Sequence, residues 1–122
     1  MNFQGLRTCI YRVDDIEKGK AWYNEVLGFG PYFDQVFYVG YSVAGYELGL
    51  IPNEGTESGT EGGVHAYWGV EDVEANYQRL LALGASDYEK PHDVGDGIVV
   101  GMVKDPWGNL FGMIYNPHFQ LP

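Results

Sequence analysis

The sequence predicts an α+β domain built from two similar halves, each running strand, helix, then three strands. Three observations predict it. Short runs of β-forming residues are bounded by glycines. Two amphipathic stretches are each opened by a pair of acidic residues and closed by glycine. The whole pattern then recurs at an offset of 57 residues.

The first half opens with a strand over Leu6 to Val13, where Ile10 and Val13 are strand formers. Asp14 and Asp15 follow as N-cap candidates, and Glu17 stands three residues after Asp14. Apolar residues at Ile16, Tyr23, Val26 and Leu27, with Trp22 beside them, trace one face of a helix. Gly28 is placed to end it. Strands are expected over Tyr32 to Val39, Tyr41 to Ala44 and Tyr46 to Ile51, with breaks at Gly40 and Gly45. In the second half, Val64 to Val70 reads as a strand. Glu71 and Asp72 open a helix with Val73, Tyr77, Leu80 and Leu81 on one face, and Gly84 closes it. Strands follow over Ala85 to Glu89, Gly97 to Lys104 and Asn109 to Tyr115, the last entered through the turn-forming Asp105-Pro106-Trp107-Gly108-Asn109.

Arg12-Val13-Asp14-Asp15-Ile16-Glu17 aligns with Gly69-Val70-Glu71-Asp72-Val73-Glu74, and Leu27-Gly28 with Leu83-Gly84. Two copies are too few for a solenoid, so two modules that pair are expected. They form a single domain over residues 1–122: module one at about 5–52, a polar, glycine-rich linker at about 53–63, and module two at about 64–116.

A chain of 122 residues can bury one modest core without staples. The net charge of −10 excludes nucleic acid as an expected partner, because phosphate recognition needs clustered Lys and Arg. An anionic membrane surface is disfavoured for the same reason. The only cysteine, Cys9, leaves no internal disulfide and reads as an inert thiol in an apolar run. No signal peptide is apparent at the start, and no apolar run approaches the roughly 20 residues of a membrane span. A cytoplasmic location is the expectation. Ten tyrosines raise the aromatic share to 16%, which suits pocket walls as well as core.

Taken in order, Arg12-Val13-Asp14-Asp15, Trp22-Tyr23, Val26-Leu27-Gly28-Phe29, Gly63-Val64-His65, Val70-Glu71-Asp72-Val73, Leu83-Gly84-Ala85 and Asp105-Pro106-Trp107-Gly108-Asn109 resemble the vicinal oxygen chelate superfamily. That group includes glyoxalase I, bleomycin-binding proteins, fosfomycin-resistance enzymes and extradiol dioxygenases. The resemblance implies two paired βαβββ modules whose curved mixed sheets surround a cleft. It also implies a homodimer and, in catalytic members, a metal held from the first and fourth strands of each module.

Carried over residue by residue, the first-strand slots fall on Thr8 and His65, and the fourth-strand slot of module one on Glu47. The remaining slot falls near Gly112, where Leu110, Gly112 and Ile114 share a strand face without a carboxylate. Imidazole and carboxylate suit a divalent ion such as Zn, Ni or Mn; a neutral threonine hydroxyl and a glycine do not. A catalytic metal normally needs about three protein ligands, so only a degenerate site at His65 and Glu47 is expected, unless Asp34, His92 or Asp96 completes it. His65 and Glu47 are also the candidate general acid–base pair. Thr8, Arg12, Phe33, Phe37 and Tyr67 are the expected ligand-binding residues; His92 and His118 are expected at the surface. The reading that follows is a metal-independent protein binding a small organic molecule. Two alternatives stay open: a small lyase or isomerase of the lactoylglutathione-lyase kind using His65 and Glu47, and a non-catalytic structural or regulatory dimer.

Overall fold

The computed structural model describes residues 6–53 and 65–119, so nearly all of the expected linker lies outside the described residues. The chain divides into two compact units, residues 1–59 and 60–122. Each has the predicted strand–helix–three-strand order.

In unit one, β1 (Thr8–Val13) leads to α1 (Ile16–Leu27), then β2 (Phe33–Gln35), β3 (Tyr38–Val43) and β4 (Tyr46–Pro52). The sheet order is β1-β4-β3-β2, with β1 parallel to β4 and the other pairs antiparallel. The helix starts where Asp15, rather than Asp14, turns its carboxylate back to accept from the Glu17 and Lys18 amides at 2.9 and 3.1 Å. It stops at Gly28, whose φ of +82° is the left-handed conformation a C-cap glycine supplies.

Strand alternation then sorts the side chains. Tyr11, Val13, Val39, Tyr41, Leu48 and Leu50 are all buried on the face toward α1. Tyr23 of α1 stacks on Tyr11 with ring centroids 5.8 Å apart. Each such side chain, taken from water, contributes roughly 1.5–3 kcal/mol. The buried Tyr41 hydroxyl donates to Asn24 Oδ1 at 2.8 Å, and Lys20 of α1 pairs with Asp34 of β2 at 2.9 Å. Asp34 therefore belongs to the helix face and is spent on structure. The opposite sheet face carries Thr8, Ile10, Arg12, Phe33, Gln35, Tyr38, Ser42 and Glu47.

One expected break is absent. Gly40 lies inside β3, paired with both Phe33 and Gly49, and the turn falls instead at Val36 and Phe37. The glycine marks a crowded position rather than a chain reversal, for a reason the site makes clear.

Unit two repeats the design with β5 (Tyr67–Gly69), α2 (Val73–Ala82), β6 (Ser86–Gly95), β7 (Ile98–Lys104) and β8 (Leu110–Tyr115), in the order β5-β8-β7-β6. Asp72 caps α2 by accepting from the Ala75 amide at 2.9 Å, and Val73, Tyr77 and Leu80 are buried. Tyr77 donates its hydroxyl to Asp87 of β6; burial first, and this carboxylate second, push the Tyr77 hydroxyl up to about 12. The turn before β8 is held by buried Asp105, which accepts from the amides of Trp107 and Asn109 at 2.9 and 2.8 Å and from the Asn109 side chain at 2.8 Å. β6 runs well past the expected end at Glu89. It is an edge strand with register shifts on either side of Pro91, the setting in which a strand tolerates proline. Consequently His92 is a strand residue, paired with Val100, and not part of a loop.

Candidate functional site

The site in unit one grows from the register of three strands. Parallel pairing sets Thr8 opposite Glu47, and antiparallel pairing sets Ser42 opposite Glu47. Glu47 thus stands in mid-sheet with a hydroxyl residue on each neighbouring strand. Two tyrosines complete the surround. Tyr32, just before β2, donates to Oε1 of Glu47, and Tyr38 at the start of β3 donates to Oε2. Arg7, Thr8, Tyr32, Ser42, Gly45, Tyr46 and Glu47 line one open cleft of about 480 Å³, within the size range of small-molecule sites.

Two glycines make room for this arrangement. A Cβ on Gly40 would lie 3.1 Å from the Tyr38 ring, 3.3 Å from the Tyr32 ring and 3.5 Å from Glu47 Oε2. On Gly49 it would lie 2.7 Å from Tyr38 Cζ. Both rings therefore cross over bare backbone to reach the carboxylate. The electrostatics follow. Hydrogen bonds from Tyr32 and then Tyr38 hold the Glu47 carboxyl below the usual carboxylate range, against the opposing effect of burial. The Tyr32 hydroxyl is pushed up chiefly by its bond to Glu47, and the Tyr38 hydroxyl chiefly by burial. Across the neutral range the cluster is one carboxylate anion held by two protonated phenols.

The remaining expected residues are distributed around this core. Arg12 is exposed further along the same face of β1. Phe33 and Phe37 form a ring pair with centroids 6.2 Å apart, and Phe33 also lies 6.1 Å from Tyr38; Phe37 sits in the turn, not on the strand face. In unit two, His65 is exposed just before β5, with the rings of Tyr67 and Tyr88 at 6.5 and 6.4 Å. The register of unit two settles the fourth slot. Tyr67, the counterpart of Ile10, pairs with Gly112, so Gly112 is the counterpart of Gly49. The counterpart of Glu47 is accordingly Leu110, which is buried and apolar. His118 is exposed as expected and bonds the Asp96 carbonyl at 2.9 Å. His92 bonds Glu89 at 2.6 Å across the β6 irregularity, a pairing that period-two reading of the strand does not suggest.

A family model for the Glyoxalase/Bleomycin resistance protein/Dioxygenase superfamily matches residues 5–113. The chain belongs to that superfamily. Solved structures agree on the fold. A glyoxalase-related enzyme from Fulvimarina pelagi superposes with a TM-score of 0.77 at 22% identity, covering 98% of this chain and 94% of that one. A glyoxalase/bleomycin resistance protein from Albidiferax ferrireducens T118 gives 0.74 at 20% identity over 92% and 98%. A lactoylglutathione lyase from Agrobacterium tumefaciens gives 0.73 at 19% identity over 98% and 100%. No curated protein matches the chain.

The divalent metal implied by the superfamily resemblance does not fit the residues in its expected slots. Thr8 offers a neutral hydroxyl and Leu110 offers nothing, so only His65 and Glu47 of the four carry ligating groups, fewer than the roughly three a catalytic metal needs. Among the described residues, no group of three or more His, Cys, Asp or Glu side chains is placed to hold a metal ion. Nor, among them, is any helix long and apolar enough to cross a membrane.

Proposed function

We propose that this superfamily member binds a small organic molecule in the Glu47 cleft and does so without a divalent metal. One observation carries the reading: of the expected metal slots, Thr8 supplies only a neutral hydroxyl and the counterpart of Glu47 is the apolar Leu110, which leaves fewer than the roughly three protein ligands a catalytic metal needs. A carboxylate committed to two phenols is built to meet a ligand through hydrogen bonds. Thr8, Ser42 and Tyr46 around it add further polar contacts on an aromatic wall. The working form is a homodimer in the cytoplasm. Metal analysis of purified protein tests the reading. Sub-stoichiometric Zn, Ni and Mn, with folding and fragment binding unchanged by a chelator, is the expected result. A stoichiometric metal that disappears in Glu47→Ala would overturn it.

A second reading, a small lyase or isomerase using His65 and Glu47 as acid and base, draws support from the Agrobacterium tumefaciens neighbour, a lactoylglutathione lyase. It predicts turnover of a lactoylglutathione-type thioester that is abolished in His65→Ala. Absence of turnover in well-folded protein, with or without added metal, would remove it.

A further inference from the structure

The donors and acceptors of the cleft select among ligand chemistries. Each phenol gives its single proton to Glu47, so the hydroxyl oxygens of Tyr32 and Tyr38 are left with acceptor capacity only. The two Glu47 oxygens each accept one phenol proton and keep a further lone pair. The Tyr32 hydroxyl oxygen and the Glu47 oxygens, which line the cleft, are thus ready to accept around one negative charge; the two phenols and Glu47 have no further proton to donate, while the Thr8, Ser42 and Tyr46 hydroxyls that also line the cleft can donate or accept. An ammonium group is the complement: a positive charge with two or three N–H donors and no acceptor. A carboxylate or phosphate would meet the Glu47 charge and find no donor on these three side chains. A neutral alcohol would gain one or two bonds without the charge.

Resting on the reading of this cleft as a small-molecule site, we propose that it selects a protonated primary or secondary amine, bound with its nitrogen against Glu47 beside Tyr32. The aromatic rings take part of the organic body, since tyrosine faces attract a nearby cation as well as apolar groups. The net charge of −10 raises the local concentration of cations and favours their approach. Arg7 lines the same cleft, one residue before Thr8. It is the competing feature, because an anionic ligand would seek it.

Three probes sharing one ring separate the possibilities: benzylammonium, benzyl alcohol and benzoate. Each is titrated into the full-length protein while backbone amide shifts of residues 7, 8, 32, 42 and 45–47 are followed by NMR. The expected result is saturable binding of benzylammonium at those residues. Its affinity should drop about 10- to 100-fold in Glu47→Gln, as for loss of a hydrogen bond to a charged group, and about 2- to 10-fold in Tyr32→Phe. It should also weaken as salt is raised. Tyr32→Phe keeps the exposed ring and serves as the second variant should Glu47→Gln perturb folding, which circular dichroism would reveal. Equal or tighter binding of benzoate or benzyl alcohol at the same residues would overturn amine selection and leave the cleft as a ligand site. Absence of any response there to all three probes would overturn both.

Discussion

Substituting Gly112 by Ala tests the register on which the comparison of the two halves depends. A Cβ at this position would lie 2.6 Å from the Ala66 carbonyl oxygen, 2.8 Å from Tyr67 Cδ1 and 3.0 Å from Met102 Cε. Ordinary contact begins at 3.4 Å, so something must yield by about 0.8 Å. The Met102 end can swing aside; the Ala66 carbonyl is main chain leading into β5 and cannot. The methyl therefore pushes β5 away from β8 and strains the pairing of Tyr67 with Gly112. Overpacking of this kind costs about 1–3 kcal/mol. Reduced freedom of the unfolded chain returns about 0.4–1 kcal/mol. The net expectation is a loss of roughly 1–2 kcal/mol, or about 4–8 °C in Tm for a domain of this size. Urea denaturation and thermal melting followed by circular dichroism measure both. Gly69→Ala is the control: a Cβ there meets nothing within 4 Å, so only the unfolded-chain contribution remains and the variant should be neutral or stabilised by up to about 1 kcal/mol. Stability of Gly112→Ala equal to or above that of the unsubstituted protein would refute the register, and with it the assignment of Leu110 as the counterpart of Glu47.

Further outcomes follow from single contacts. Asp105→Ala strands the Trp107 and Asn109 amides at a buried turn and should cost about 2–4 kcal/mol by urea denaturation. Asp15→Ala removes the α1 cap and should cost about 1 kcal/mol in the same assay. Because the folded-state pKa of Glu47 is depressed, its contribution to stability is present above the usual carboxylate range and is lost as pH falls through the folded value. Glu47→Gln should therefore flatten part of the acid limb of a stability-against-pH curve; an unchanged acid limb would contradict the hydrogen bonds that Glu47 accepts.

Much of the architecture was legible because it is written in local chemistry. The acidic helix starts, Gly28, and the Asp105 turn all act within a few residues, and their recurrence at a fixed offset exposed both modules. Thr8 and Glu47 could be placed in the same region by resemblance, and the strand register brings them opposite each other. What escaped was non-local. Gly40 looked like a break because glycine usually punctuates a strand; here it clears space for Tyr32 and Tyr38, which converge on Glu47 from either side of a hairpin. The usable signal was the pair Gly40 and Gly49 on the Glu47 face, two missing side chains beside two tyrosines. In β6, irregular pairing around Pro91 broke the period-two pattern, so neither the strand's length nor the His92–Glu89 contact could be read from alternation.

Two phenols hold Glu47 as an acceptor that stays ionised across the neutral range. The most direct test is a carboxyl-carbon NMR titration of Glu47 in the unsubstituted protein and in a Tyr32→Phe, Tyr38→Phe double variant. The expected result is a Glu47 pKa below the usual carboxylate range, returning upward when both hydroxyls are removed. An ordinary value in the unsubstituted protein, or a depressed value that survives loss of both hydroxyls, would contradict it.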